Sequence, residues 1–392
     1  MLNFIFHKKP QANLLILYFM AFFLALAGAL PMYIQSSHLS KFFGLSAVAW
    51  FFVIANLIAV LAILFFPKII KKFGNYRTTW LITLLFIISF TGLGISTNPV
   101  MILLFFVLMH LMFNLIWINM DIFLESFSSN ASTGKTRTIY FTVINFAWIL
   151  SPSLSAKFIN GDNYFNVFLA AAIFIIPFLL IFLFYAQKIK DKVSYKSISI
   201  DKTIKKMYRD HNLRGIFWLA MLLNVFFNAT TVFIPIYLNK VIGFSWVELG
   251  AMFSVMLIPF ILVEIPAGIV ADKYLGEKEL LYLGYSILII CLGLFFSSSS
   301  TSFWFWAGLL FISRIGAALV EAMRETYFFK KVCAKDIDKI NIFRTAIPLG
   351  YLFSSLISLA VLIFLPINYV FLVTALLLCS AFPFLITIKD TK

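Results

Sequence analysis

Acidic side chains are scarce in this chain. Its 392 residues include 16 Asp and Glu against 31 Lys and Arg, and the four types together make up only 12% of the sequence. A soluble domain of this length carries about twice that share of charge. Cysteine is scarcer still. Cys291, Cys333 and Cys379 lie far apart, two of them within apolar runs, a spacing that supplies neither a disulfide framework nor a metal motif. The four histidines, His7, His38, His110 and His211, are scattered, with no H-x-x-x-H pair. A phosphate-cradling P-loop is absent, so ATP is not the direct energy source. Long polar segments are missing too; the longest charged one covers about 188–214.

What fills the sequence is hydrocarbon. Apolar residues make up 62% of it and the mean hydropathy is +1.00. Nearly every window of about 20 residues is apolar enough to cross a bilayer. Gaps rich in Pro, Gly, Asn, Ser or charge mark twelve spans, at 12–34, 46–66, 77–96, 99–125, 138–158, 164–187, 214–238, 246–267, 279–297, 302–324, 345–365 and 368–388. The fold class expected is an all-α membrane protein. Lys8 and Lys9 before an apolar run containing Ala25-Leu26-Ala27 resemble a secretory signal. Cleavage there would leave eleven spans, so the segment reads as a retained first span.

The basic residues orient the chain. Of the 31 Lys and Arg, 27 fall on one side of the spans, Lys41, Lys157 and Lys240 fall on the other, and Arg314 falls within span 10. The positive-inside rule places both termini in the cytoplasm of a cell's inner membrane. The net charge of +15 then faces anionic headgroups rather than nucleic acid.

The stretch near 188–214 divides the spans six and six, and the halves echo each other. Leu30-Pro31-Met32-Tyr33-Ile34 returns as Ile234-Pro235-Ile236-Tyr237-Leu238, and Gly44-Leu45-Ser46 as Gly243-Phe244-Ser245. Ala147-Trp148-x-x-Ser151-Pro152 returns as Gly350-Tyr351-x-x-Ser354-Ser355, and Asp121-x-x-x-Glu125 as Glu321-x-x-x-Glu325. Offsets of 204, 199, 203 and 200 in chain order describe a parallel repeat with an axis along the membrane normal. The domains expected are a six-helix bundle over 1–187, a cytoplasmic linker over 188–213 with an amphipathic segment, and a second six-helix bundle over 214–392. In the linker, Ile200, Ile204, Met207 and Tyr208 share a side among lysines, the pattern of a helix on the inner leaflet.

With these features the chain resembles the major facilitator superfamily over nearly its full length. That family's loop signature reads G-x-x-x-D-[RK]-x-G-[RK]. The second half carries Gly268-Ile269-Val270-Ala271-Asp272-Lys273-Tyr274-Leu275-Gly276-Glu277-Lys278, with one extra residue before the second glycine. The first half carries Pro67-x-x-x-Lys71-Lys72-Phe73-Gly74, with lysine where the acid belongs. Span 5 reads Ser151-Pro152-Ser153-Leu154-Ser155-Ala156, not the G-P-x-x-G-G of many drug antiporters in the family. The resemblance implies that spans 1, 4, 7 and 10 line a central cavity. It also implies that Gly268, Asp272, Lys273 and Gly276 help gate the cytoplasmic side, with Asp272 near Arg137 and Thr138.

Ionisable groups within spans are costly, about 2.5–3.5 kcal/mol each on insertion scales, and so mark cavities or pairs. Arg314, Ala318, Glu321 and Glu325 share one face of span 10. Arg314 reads either as an anion-binding residue, through its two-point fork, or as a member of a structural ion pair. His110, Asn114, Trp117, Asp121 and Glu125 share a face of span 4. His110 has the chemistry for proton coupling or for a plain interhelical bond. Asp121 and Glu125 sit where a gate or loop salt bridge is expected. Asn224, Asn228 and Thr231 share a face of span 7, and Glu264 stands two residues before Pro266 in span 8.

The function expected is alternating-access transport of a small solute, with protons as a candidate coupling ion. A lipid-modifying membrane enzyme and a transport-inactive sensor are the alternatives. The candidate solute contacts are Arg314, Asn224, Asn228, Asn114 and His110. The candidate gating or coupling residues are Asp272, Lys273, Gly268, Gly276, Asp121, Glu125, Glu264, Glu321 and Glu325. The expected partners are a small molecule and the bilayer, with no cofactor, metal or nucleic acid, and a monomeric state.

Overall fold

The computed structural model describes residues 10–127, 133–161, 163–185, 200–332 and 337–389. Among them the regular structure is helical. Eleven helices are long and apolar enough to cross a membrane, and Leu14–Ala29 is a shorter apolar one. The elements used below are α1 (Pro10–Ala29), α2 (Gln35–Leu39), α3 (Leu45–Phe73), α4 (Asn75–Ile95), α5 (Pro99–Phe127), α6 (Thr133–Phe158), α7 (Phe165–Phe174), α8 (Ile176–Tyr185), α9 (Ile200–Arg209), α10 (His211–Ile236), α11 (Trp246–Leu257), α12 (Pro259–Leu262), α13 (Glu264–Val270), α14 (Glu277–Ser297), α15 (Phe303–Lys331), α16 (Ile337–Arg344), α17 (Ala346–Phe364), α18 (Tyr369–Leu378) and α19 (Ala381–Thr387).

The chain divides into two compact units. One holds Met1–Phe42 and Leu61–Tyr195, the other Phe43–Val60 and Lys196–Lys392. The first part of α3 thus belongs with the second unit, where the Ser46 hydroxyl donates to the Leu362 carbonyl at 3.2 Å.

Helix starts follow local chemistry. Asn98 accepts from the amides of Val100 and Met101, with Pro99 at the first helical position, where its missing N–H costs nothing. Asp210 accepts from Asn212 and Leu213 and opens α10. Ser245 and Glu248 form a capping box before α11, and Ser302 caps α15. These side chains satisfy amides that have no partner within the helix.

The repeated proline segment takes different backbone forms in the two halves. α1 ends at Ala29, just before Leu30-Pro31, whereas the matching Pro235 lies inside α10 and a π-helix follows over Tyr237–Ile242. At the loop signature the halves agree. Gly74 and Gly276 precede α4 and α14 with φ of 79° and 92°, a region that side-chain-bearing residues rarely enter. The extra residue before Gly276 is taken up by a second π-helix, Ala271–Leu275. A single inserted residue widens one turn in this way without breaking the helix.

Hydropathy ends span 10 at Arg324, with Arg314 as the basic residue inside it. Instead α15 runs to Lys331 and buries Arg324 to 4% exposure. The chain tolerates this because Glu321 and Glu325 lie 3.6 and 3.8 Å from its guanidinium. Hydropathy counts three charges there and stops the span; the structure sets them against each other.

Close packing in the second unit depends on small residues. A Cβ on Gly284 of α14 would lie 2.6 Å from Val320 Cγ2 and 3.0 Å from the Gly316 carbonyl of α15. Gly284→Ala should therefore cost about 1–3 kcal/mol and lower the melting temperature in detergent. Gly293→Ala on the same helix, where a Cβ meets nothing within 4 Å, should leave it unchanged or raised. Equal melting temperatures for the two variants would refute this packing.

At the end of the first unit's α2, His38 is buried against the rings of Phe42, Tyr164 and Phe168. Burial pushes its imidazole down to about 4. The Lys41 ammonium acts in the same direction and the Leu93 backbone in the opposite one. The folded form thus holds His38 neutral where the unfolded chain protonates it. The stability this confers is full above about pH 6.5 and is lost as pH falls towards 4. It amounts to something on the order of 3 kcal/mol. Thermal melts between pH 7 and pH 4.5 should show a falling midpoint, and His38→Phe should flatten that slope. An unchanged slope in the variant would remove His38 from the account.

Candidate functional site

In the first unit the residues meet around α2. The whole run Gln35-Ser36-Ser37-His38 is buried despite its polarity. His110 Nε2 lies 3.2 Å from Gln35 Oε1, a bond that His110 donates in its Nε2–H tautomer. The Phe106 ring packs 4.5 Å from the imidazole. Beside this pair is a small gap with room for about one water-sized molecule, whose lining includes Pro31, Gln35, Phe86, Phe90, His110 and Phe113. Its walls are aromatic, and its polar groups are one amide and one imidazole. Asn114 is half-buried, and its amide donates to the His110 carbonyl at 2.8 Å. Asp121 is exposed on the same helix. The side chain of Glu125 lies outside the described residues.

In the second unit Arg314 is 2% exposed. Its Nη2 donates to Thr230 Oγ1 at 3.1 Å, and its guanidinium carbon stands 5.1 Å from the Phe226 ring and 5.8 Å from Phe227. Stacking on aromatic faces suits a guanidinium, which is weakly hydrated. The two asparagines of α10 each make a bond of their own. Asn224 donates to the Ala220 carbonyl and packs where Gly350 of α17 comes close, since a Cβ there would lie 2.6 Å from Asn224 Cβ. Asn228 donates to Ser355 Oγ at 3.1 Å. Both are buried and bond α10 to itself and to α17. Thr231 is buried on the same helix.

A charged cluster occupies one end of α15. Arg344 Nη1 donates to Glu325 Oε1 at 2.7 Å, and Arg324 lies within 4 Å of both Glu321 and Glu325. Glu264 opens α13, where the helix breaks after Val263 and Pro266 withholds an amide from the Leu262 carbonyl. α13 packs on α15, which sets the helix that opens at Glu264 against the one that carries Glu321. Two guanidiniums, Arg324 and Arg344, thus pair with Glu321 and Glu325, with Glu264 on the neighbouring helix.

Sequence reasoning missed three participants. Gln35 was overlooked because it follows the apolar run, though the polar string 35–38 beside a span was a usable signal. Glu277 was not singled out. It is fully buried at the start of α14 and pairs with Lys330 Nζ at 2.5 Å, where a helix N-terminus favours an anion. Lys278 Nζ caps the other side, donating to the carbonyls of Ile386 and Ile388 at 3.1 Å each. In the signature itself, Lys273 is exposed, Gly268 is half-buried and Gly276 is buried. The side chains of Asp272, Arg137 and Thr138 lie outside the described residues, so the expected contact between them does too.

No curated protein sequence matches the chain. Among solved structures it is similar to the nucleoside transporter NupG at 16% identity and TM-score 0.74, covering 97% of this chain and all of that one. A bacterial homologue of the human lysosomal transporter Spinster, inward-facing and unoccupied, aligns at 12% identity and TM-score 0.73, over 97% and 96% of the two chains. A POT family transporter in complex with 5-aminolevulinic acid aligns at 13% identity and TM-score 0.76, over 97% and 96%. At such identities the likeness is one of fold. The family model of the Major Facilitator Superfamily matches residues 12–332, and the chain, a multi-pass membrane protein with that family's twelve-helix fold, belongs to this superfamily.

Proposed function

We propose that the chain is a secondary active transporter that moves a small polar solute across the cytoplasmic membrane by alternating access, driven by protons, with both termini in the cytoplasm. The observation that carries this reading is the Gln35–His110 pair, a buried amide and imidazole at an aromatic pocket between membrane helices. Buried polar groups in such helices are expensive, and their usual return is a substrate or ion path. The similar folds include a nucleoside transporter and one bound to 5-aminolevulinic acid, both consistent with a small polar cargo. The charge bias of the loops supports the orientation.

His110 and Gln35 contact the solute in the first unit, with Asn114 holding the turn beneath His110. In the second unit Arg314 presents the electrostatic determinant, held by Thr230 and Phe226. Asn224 and Asn228 act by fixing the α10–α17 contact that positions Thr230. Glu264 and Glu321 form the coupling pair, one of them carrying the proton. Asp121, Glu125, Gly268, Asp272, Lys273, Gly276 and Glu325 belong to the cytoplasmic gate.

A thermal-shift screen of the purified protein against a metabolite panel should find a stabilising solute, because a ligand bound to the folded state raises its stability by mass action. His110→Ala and Gln35→Ala should each abolish that shift while the unliganded protein still folds, melting lower because the bond's other partner is left buried and unmatched. Arg314→Lys should weaken the shift through loss of the planar fork. If Arg314→Ala instead prevents folding, and removal of one acid restores it, Arg314 is structural and only the first unit's contacts remain.

Coupling is read separately in proteoliposomes. Glu264→Gln should lose uptake driven by a pH gradient yet keep solute exchange at equal pH on both sides. Retention of gradient-driven uptake would assign the proton elsewhere.

A further inference from the structure

α9 precedes α10 directly, with Asp210 as the cap between them, so it lies at the end of a membrane-crossing helix. Its residues divide into three strips around the axis. Thr203 and Met207 are buried, and α9 packs on α10 and α16. Beside that strip, Ile204 and Tyr208 point outward at 48% and 68% exposure. Beyond them come Lys205, Lys206 and Arg209, all exposed. The expected single apolar side of Ile200, Ile204, Met207 and Tyr208 is therefore split: Met207 faces protein, while Ile204 and Tyr208 do not. Arg214 extends the basic edge, with its guanidinium carbon 5.2 Å from the Tyr208 ring and its Nη1 donating to the Tyr208 carbonyl. Among the described side chains the acid on this edge, Asp210, is engaged by the amides of Asn212 and Leu213; Asp201 of the same helix lies outside them.

We propose that α9 docks on the anionic lipid of the cytoplasmic leaflet and that leaflet charge thereby acts on the Arg344–Glu325 contact. An apolar edge flanked by cations, on a helix anchored to a span, is the chemistry of a surface-lying amphipathic helix. Ile204 and Tyr208 enter the acyl boundary, and Lys205, Lys206, Arg209 and Arg214 meet phosphates. The adjoining strip, Thr203 and Met207, is buried, and the helix packs on α16, whose last residue is Arg344. Lipid that holds α9 in place therefore holds α16, and with it the guanidinium that pairs with Glu325 at 2.7 Å.

The test uses the full chain in nanodiscs of phosphatidylcholine, with and without phosphatidylglycerol, and reads amide hydrogen exchange. Peptides from 200–209 and 337–344 should exchange more slowly in the anionic discs, on the order of tenfold for the former. High salt should erase the difference, as should the combined change Lys205→Gln, Lys206→Gln and Arg209→Gln. Ile204→Ser with Tyr208→Ser should weaken it while every cation remains. Peptides from α14 should not respond and serve as the control for folding. Equal exchange in both discs overturns the proposal, as does protection that survives the triple change. Protection that appears only when a soluble acidic protein such as calmodulin is added also overturns it, in favour of a protein partner.

Discussion

A charge in hydrocarbon has to be met within the protein, because no water is present to meet it. Much of this structure follows from how a chain with 16 acids and 31 bases satisfies that condition. Most of the described cations avoid the problem by lying exposed or half-buried, many of them near helix ends. Two buried arginines and one lysine of α15 are each met in a different way. Arg324 is set between two carboxylates on its own helix. Arg314 is laid on two phenylalanine rings with a threonine at its edge. Lys330 reaches back from the end of α15 to a glutamate buried at a helix start. Each arrangement ties α15 to a neighbour or stiffens it, so charge compensation and helix packing are here the same contacts.

The polar network of the first unit obeys the same condition with neutral groups. Its buried donors and acceptors are serines, threonines, asparagines, a glutamine and histidines. The hydroxyls of Thr79, Thr83 and Ser151 bond back to carbonyls of their own helices, which costs little and says little about function. Gln35 and His110 differ because their bond joins residues 75 apart and stands at a pocket. That is the distinction between polar residues that a helix absorbs alone and polar residues that a site holds in place.

Much of this was legible from residue order alone. Hydropathy located the spans, whereas the caps Asn98, Asp210, Ser245 and Ser302, whose side-chain oxygens accept from amides with no partner in the helix, emerge only from the structure. The extra residue in the loop signature was visible as an insertion, though not that a π-turn would absorb it. Arg324 was misplaced because a hydropathy sum adds charges and cannot see that they cancel in space. Asn224 and Asn228 share a helical face that also meets α17, Asn224 where Gly350 comes close and Asn228 through Ser355. A helical wheel gives the direction of a side chain around its own axis; what occupies that direction is decided by partners far along the chain, Gly350 and Ser355 in this case.

The two halves repeat each other in outline but not in charge. The first 187 residues contain three acids, Asp121, Glu125 and Asp162, and the loop glycine of this half, Gly74, follows lysines. The second half has acids at the corresponding loop, at the break in span 8 and along α15. A symmetric pair of bundles would share gating and coupling equally. Here the loop acid, the helix-start acid and the carboxylate in excess over guanidinium all belong to one unit, while the pocket with the interhelical imidazole belongs to the other. Protonation of Glu264 or Glu321 would change the charge balance against Arg324 and Arg344 within a single packed cluster, and so would bias contacts that α15 makes with α13 and α16. A solute bound beside His110 changes no net charge there. Under the proposed function, such an arrangement would separate the ion step from the first unit's solute contacts by residue type, so that each could be altered by mutation without removing the other.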